Sequence, residues 1–174
     1  MRDEQSLPLA GVKVIEFTHM VMGPAVGLVL ADMGADVIKL EPVHGDKTRG
    51  LPGSGAGYFP AYNRNKRSLC VDLKSPGERA AVLRLVDGAD VLVENFRPGT
   101  MDRLGFRYEA LKERNKGLID CSEKGFLAGP NDARAVRSVG HECQCVECGL
   151  VEKQFIFEVA RNEIAIIQLP RCRI

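Results

Sequence analysis

The sequence predicts an α/β chain built on a parallel sheet with flanking helices. Short apolar runs rich in β-branched residues recur between residues 12 and 122, and segments with helical start and stop signals separate them. The connections between them are short, so successive strands are expected to pair in parallel through right-handed crossovers.

The first run, VKVIEF (12–17), suits a buried strand. The loop THMVMG follows, and Pro24 opens a helix, PAVGLVLADMG, with Gly34 as its stop. ADVIKLE (35–41) is the second strand, and a glycine-rich, turn-prone stretch runs from Pro42 to Asn65. SLCVDL (68–73) is the third strand. Ser75-Pro76-Gly77-Glu78 then reads as a capping box: an N-cap serine, a proline in the first helical position and a glutamate three residues after the cap. Ala80, Val82, Leu83, Leu85 and Val86 carry that helix to Gly88. ADVLVEN (89–95) is the fourth strand. Short helices around Met101–Leu104 and Tyr108–Asn115 lead to a fifth, GLIDCS (117–122).

Charge is balanced, with 24 Lys and Arg against 23 Asp and Glu among 174 residues, a net charge of +1. Nothing global draws the chain to nucleic acid or an anionic membrane, so neither is expected as a partner. Hydrophobic residues make up 45% and charged residues 27%, as in ordinary globular domains. No apolar run has the length of a membrane span. The polar, acidic opening MRDEQSLPLAG does not read as a signal or transit peptide, which makes a cytoplasmic, reducing setting the expectation and disulfides unexpected.

Ligands of open parallel sheets bind beyond the carboxyl ends of the strands, which directs attention to residues 18–23, 41–45, 94–99 and 122–129. GLPGSGAGYFP (50–60) contains neither phosphate-loop pattern and reads as a mobile loop, or as a lid over a substrate. NRNKRS (63–68) reads first as a solvated basic strand entrance and alternatively as a phosphate patch of Arg64, Lys66 and Arg67. ENFRPGTMDRLG (94–105) offers Asn95, a stacking face in Phe96, and the cations Arg97 and Arg103. That set fits a phosphorylated nucleotide as well as it fits a plain turn and helix start. Lys124, after the fifth strand, is a further anion contact. His19 has no Ser or Cys beside it in sequence, and a lone histidine there is more often structural than catalytic.

Five blocks together form a recognisable pattern: GVKVIEFTH (11–19) with Gly23-Pro24-Ala25, LADMGADVIKLEP (30–42), YNRNKRSLCVDLK (62–74), ADVLVENFRPGTMDRLG (89–105) and LIDCSEKGF (118–126). In their order and spacing they resemble the family III CoA-transferases, which include formyl-CoA transferases, carnitine-type CoA-transferases and the related α-methylacyl-CoA racemases. The resemblance runs from about Leu7 to Pro130. It implies a Rossmann-like large domain, here incomplete, a smaller second domain in full-length members, and interlocked homodimers. It implies transfer of CoA from an acyl-CoA to a small carboxylic acid, with CoA as substrate and no covalently bound cofactor. The positions that match the family's CoA contacts are His19, Met20, Val21, Met22, Val71, Asn95, Phe96, Arg103 and Lys124. At Pro42 the formyl-CoA transferases carry a basic contact. The family's nucleophile is an aspartate that attacks the thioester carbonyl and passes through a mixed anhydride.

The pattern is expected to stop at Pro130, dividing the chain into a CoA-binding part, 1–130, and a tail, 131–174, foreign to the family. Of 18 glycines only Gly140 and Gly149 follow that point, while four of six cysteines do. His141, Cys143, Cys145 and Cys148 approach a zinc ligand set. Structural zinc sites, however, pair separated ligand couples around an intervening fold, so no metal is expected. A frameshifted or misjoined end accounts for the tail. Asp132, the last aspartate, lies too soon after Lys124 to be the nucleophile. The expectation is therefore a family protein with no catalytic residue of its own and negligible turnover. The alternatives are a non-catalytic CoA- or nucleotide-binding module, a racemase-type fragment, and a metal-binding regulatory protein.

Overall fold

The computed structural model describes residues 7–123, 157–160 and 163–166. The chain divides into two compact units, residues 1–125 and 126–174. In the first, β1 (Lys13–Phe17), β2 (Asp36–Glu41), β3 (Arg67–Cys70), β4 (Val91–Glu94) and β5 (Ile119–Ser122) form one sheet in the order β3-β2-β1-β4-β5. Every neighbouring pair in it is parallel. Five helices accompany the strands: α1 (Met22–Asp32), α2 (Tyr58–Asn63), α3 (Pro76–Asp87), α4 (Thr100–Leu104) and α5 (Tyr108–Arg114). The α/β expectation is met. The second unit contains an antiparallel pair, β6 (Phe157–Ala160) and β7 (Glu163–Ile166), within the apolar runs FIFEVA and EIAIIQL.

Strand residues alternate between the two faces of the sheet. Val14, Val37 and Val93 meet Ala31 of α1 on one face. Ile15, Phe17, Leu40 and Leu92 meet Val82 and Val86 of α3 and Leu111 of α5 on the other. Phe17 and Phe106 close that second core with ring centroids 4.9 Å apart. The α1 face is not apolar to its end. Glu16 and Lys39, one residue from the end of β1 and two from the end of β2, point into it, are buried, and are paired partners in the β1–β2 register.

Several local expectations are revised. Helix α1 starts at Met22, two residues ahead of Pro24, which leaves Pro24 in the first turn, where a missing N–H has no helical acceptor to lose. Ser75 precedes α3 as expected but makes no side-chain cap. The Glu78 carboxylate reaches past it and accepts the Asp72 N–H at 2.7 Å. The glycine-rich stretch 50–60 is not an open loop. It forms a 3₁₀ turn, Gly53–Gly57, and then α2, which packs on α1. Arg49, stacked 3.7 Å over the Phe59 ring, fastens α2 to the turn after β2.

Room for the buried carboxylate of Glu16 comes from Gly27. A Cβ there would lie 1.8 Å from Glu16 Oε2. Gly27→Ala is expected to destabilise the chain by about 3 kcal/mol, because it overpacks α1 and displaces a buried ion pair. Gly77, in the first turn of α3, has nothing within 4 Å of its Cβ direction. Gly77→Ala is expected to add about 0.5 kcal/mol. Urea unfolding of the two variants against the parent should move the midpoint in opposite directions.

Candidate functional site

Strand order reverses between β1 and β4: β2 and β3 lie on one side of β1, β4 and β5 on the other. The chain leaves β1 for one face of the sheet and β4 for the other, and the crevice at such a switch point is the usual ligand position in a doubly wound sheet. A side-chain amide spans it. Asn95, just after β4, accepts with Oδ1 from the His19 N–H and from His19 Nδ1, both at 3.0 Å. Its Nδ2 donates to the His19 carbonyl at 2.9 Å. This arrangement places a hydrogen on Nδ1 of His19. Phe96 lies against the imidazole, with ring centroids 5.5 Å apart. Gly23 is buried where a Cβ would meet Thr18 and the Asn95 amide at under 3 Å.

Between His19 and α1 the chain makes a tight reversal. Met20 takes the left-handed conformation, φ 65°, rare for a residue with a side chain, and Val21 sits at the N-cap of α1. Met20 and Met22 are exposed. His19, Met20, Val21, Met22, Asn95 and Phe96 thus come together at the two loops of the crevice. Arg103 stands on α4, exposed, with its guanidinium donating to Thr100 Oγ1 at 2.9 Å. Val71 differs from the others: its side chain is buried in the core between the sheet and α3, and its N–H is held by the Glu41 carbonyl. Lys124, His141, Cys143, Cys145 and Cys148 lie outside the described residues.

The cations of NRNKRS do not form a patch. Arg64 is paired with Asp32 at 2.6 Å, and Arg67 with Asp36. The Lys66 side chain is 1% exposed and reaches Glu16 Oε2 at 2.8 Å. The solvated-entrance reading fits the two arginines, and neither reading anticipated the lysine.

Sequence reasoning missed the group beneath the loops. Lys39 Nζ lies 3.6 Å from Glu16 Oε1 and 3.1 Å from Asp46 Oδ2. It donates to the Thr18 carbonyl at 2.7 Å. Lys66, Glu16, Lys39 and Asp46 thus form a buried line of alternating charge. Nearby, Glu41 takes a bidentate pair from Arg49 at 2.7 Å, the Ser68 hydroxyl at 2.6 Å and the Asp46 N–H at 2.9 Å. A signal was present: VIEF and VIKL each carry one charge inside an apolar run, opposite in sign and at matching positions.

A cavity of about 260 Å³ lies beyond β4 and β5, lined by Glu94, Arg97, Phe106, Arg107, Tyr108 and Ser122 among others. None of the crevice residues His19, Asn95 or Phe96 lines it. The two thiols among the described residues differ. Cys70 is exposed, whereas burial pushes the Cys121 thiol up to about 12, out of reach of ordinary thiolate chemistry.

The family model of CoA-transferase family III matches residues 9–151. An acetyl-CoA:oxalate CoA-transferase from Acetobacter aceti is 49% identical over 123 residues, 68% of this chain and 32% of that protein. A formyl-CoA:oxalate CoA-transferase from Streptomyces coelicolor is 43% identical over 129 residues, 72% of this chain and 32% of that protein. Among solved structures, a CAIB/BAIF family protein from Brucella suis matches with a TM-score of 0.68 at 45% identity, over 74% of this chain and 36% of that one. A hypothetical protein from Mycobacterium tuberculosis matches with a TM-score of 0.73 at 36% identity, over 94% of this chain and 45% of that one. The chain spans about a third of the length of the curated relatives it matches.

Burial alone would raise the Glu41 carboxyl, but the donors from Arg49, Ser68 and Asp46 outweigh it and hold the group down from 4.5 to about 2. A carboxylate depressed on folding stabilises the native state above its unfolded pKa and loses that contribution as pH falls through the folded one. At about 1.4 kcal/mol per pH unit, roughly 3 kcal/mol should disappear between about pH 4.5 and 2. Glu41→Gln should remove this part of the acid limb from a stability profile measured by urea unfolding at successive pH values.

Proposed function

The chain belongs to CoA-transferase family III, and from that premise we propose that its residues 1–130 bind CoA or an acyl-CoA thioester in the crevice between the β1 and β4 loops. The observation that carries this is the Asn95 amide, which ties the His19 backbone and ring across the switch point and so fixes the mouth of the crevice. In this reading the main chain of His19–Met22 faces the pantetheine arm and the soft thioethers of Met20 and Met22 close over it. Phe96 stacks on the base, Arg103 and Lys124 pair with phosphate, and Val71 contributes through its backbone.

The reaction proposed for the complete enzyme is movement of CoA from an acyl-CoA to a small carboxylic acid. The relatives' names supply the donors formyl-CoA and acetyl-CoA and the acceptor oxalate. An aspartate attacks the thioester carbonyl and the C–S bond breaks, giving a mixed anhydride and CoA thiolate. The thiolate attacks the aspartyl carbonyl, releasing the donor acid and leaving an aspartyl-CoA thioester. The acceptor carboxylate displaces the thiolate to form a second anhydride, and the thiolate takes the acceptor acyl group and frees the aspartate. We place that aspartate outside these 174 residues. Residues 131–174 are read as a tail apart from the CoA-binding part, and the setting as cytoplasmic. The 174-residue chain then acts as a CoA-holding module.

Calorimetry with CoA tests this directly. Saturable binding is expected, weakened about tenfold by Arg103→Ala, the loss of one charge-assisted contact, and more by Asn95→Ala, which unties the crevice. A parent chain that fails to bind CoA ends the proposal. Formyl-CoA or acetyl-CoA supplied with oxalate should give no transfer. Transfer abolished by replacing a carboxylate of this chain would place the nucleophile within it.

A further inference from the structure

We propose that Lys39 and Lys66 are positioning residues for the ligand loop, gripping it from below at both ends, so that affinity for CoA depends on two side chains that never touch CoA. The proposal rests on the CoA reading above and extends it to residues with 1% of their side chains exposed. Lys39 Nζ donates to the Thr18 carbonyl at 2.7 Å, at the start of the loop. Lys66 Nζ donates to the Pro24 carbonyl at 2.7 Å, in the first turn of α1. Between these anchors lie His19 to Gly23, the five residues that shape the crevice. Glu16 joins the anchors: Lys39 and Lys66 both pair with its carboxylate, and the Thr18 hydroxyl donates to it.

Stability alone is a poor account of this group. Buried ion pairs are often replaceable by well-packed apolar side chains at little or no cost. An apolar residue at position 39 or 66 would fill the space but could not donate to Thr18 or Pro24. What the lysines add is a fixed loop path, including the left-handed turn at Met20 that an L side chain rarely adopts. Lys39 also holds Asp46 at 3.1 Å, which sets the loop after β2 against the loop after β1. The groups around Lys66 come from every neighbouring element: Glu16 from β1, Lys39 from β2, Pro24 from α1, Asn63 from α2, and Glu123 after β5. Burial lowers the Lys66 pKa below its ordinary 10.5, and Glu16 offsets only part of this.

The test separates loop position from overall stability in the full chain. Lys39→Met and Lys66→Met should each weaken CoA binding about tenfold or more. They should also speed amide hydrogen exchange at residues 19–23 while β1, β2 and β4 keep their protection. The double variant Glu16→Gln/Lys66→Met removes the buried carboxylate that has lost its nearer ammonium and should regain thermal stability without regaining affinity. Affinity that returns together with stability overturns the proposal, as does loop exchange that stays at the parent rate. A parent chain that does not bind CoA ends the proposed function and with it the affinity half of this inference, while the exchange result still decides whether the two lysines hold the loop.

Should the variants not fold, the parent supplies the readout through pH. Between the lowered Lys66 pKa and 10.5 the unfolded chain holds the extra proton, so Lys66 contributes stability that rises with pH. CoA affinity should fall over the same range, as the ammonium's bond to Pro24 weakens. If affinity and stability rise together there, the proposal is wrong.

Discussion

Two opposite charges face each other across parallel strands in the middle of a mostly apolar sheet, and the α1 face of the first unit is arranged around them. Glu16 and Lys39 occupy one register pair of β1 and β2. Taking both from water costs several kcal/mol per ion, and only close partners with good geometry offset it. Each has such partners: Lys66 and the Thr18 hydroxyl for the acid, Asp46 and the Thr18 carbonyl for the base. The pair also specifies register. A slip of β1 by one residue would turn Glu16 toward the apolar cluster of Val82 and Phe106, away from Lys39 and Lys66 and toward the buried Glu94 carboxylate. A slip of β2 would turn Lys39 toward the same cluster.

The two faces of the sheet divide the work. The α3–α5 face is apolar at the central strands and supplies the driving force for folding, through Ile15, Phe17, Leu40 and Leu92 packed on Val82, Val86 and Phe106. At its β4–β5 edge it turns polar, with Glu94 and Ser122 in register. The α1 face is apolar at the strands' amino ends, with Val14, Val37 and Val93, and charged toward their carboxyl ends, with Glu16, Lys39 and Glu41. That gradient follows from topology. All five strands run the same way, so their carboxyl ends and the loops that leave them lie on one rim. Charge placed there can hold the backbone of the loops that leave the sheet, as Lys39 holds the Thr18 carbonyl. Gly27 serves the same division, because α1 can approach the charged end of the sheet only where it has no side chain.

The strands were legible because parallel strands buried on both faces read as continuous apolar runs, and VKVIEF, ADVIKLE and ADVLVEN are such runs. The α1 boundary was less so, because Pro24 is tolerated anywhere in a first turn and marks the turn, not its first residue. Ser75 and Glu78 have capping-box spacing, but Glu78 found a nearer donor in the Asp72 N–H, a choice set by the path of the chain between β3 and α3. The basic cluster splits for a tertiary reason. Asp32 and Asp36 sit some thirty positions before Arg64 and Arg67 and become their neighbours only when β2 and β3 align. Lys66, between those arginines, turns inward to a carboxylate fifty positions away. Composition treats three adjacent cations alike, but the β3 entrance separates them. His19, Asn95 and Phe96 were legible as strand-end residues. That they touch one another depended on β1 and β4 being neighbours, which follows from strand order and not from either motif.

The crevice combines a rigid frame with soft walls, and the choice of an amide at position 95 shows why the frame is rigid. Asn95 accepts twice and donates once to a single residue, His19. An aspartate would accept both bonds equally well but would set a carboxylate oxygen against the His19 carbonyl, replacing a bond with a repulsion. A leucine would fill the space and leave the His19 backbone groups without partners on the β4 side. Only a side chain with a donor and an acceptor fixed at one carbon can satisfy the N–H, the C=O and the imidazole together, and it does so only at one separation of the two loops. The Glu16–Lys39 register sets the path of the β1 loop from below, and Asn95 sets its distance from the β4 loop above. Met20 and Met22 are left exposed at the rim, with flexible side chains that are free to rearrange. Shape is thus fixed by backbone held at several points, and fit by thioethers that can rearrange.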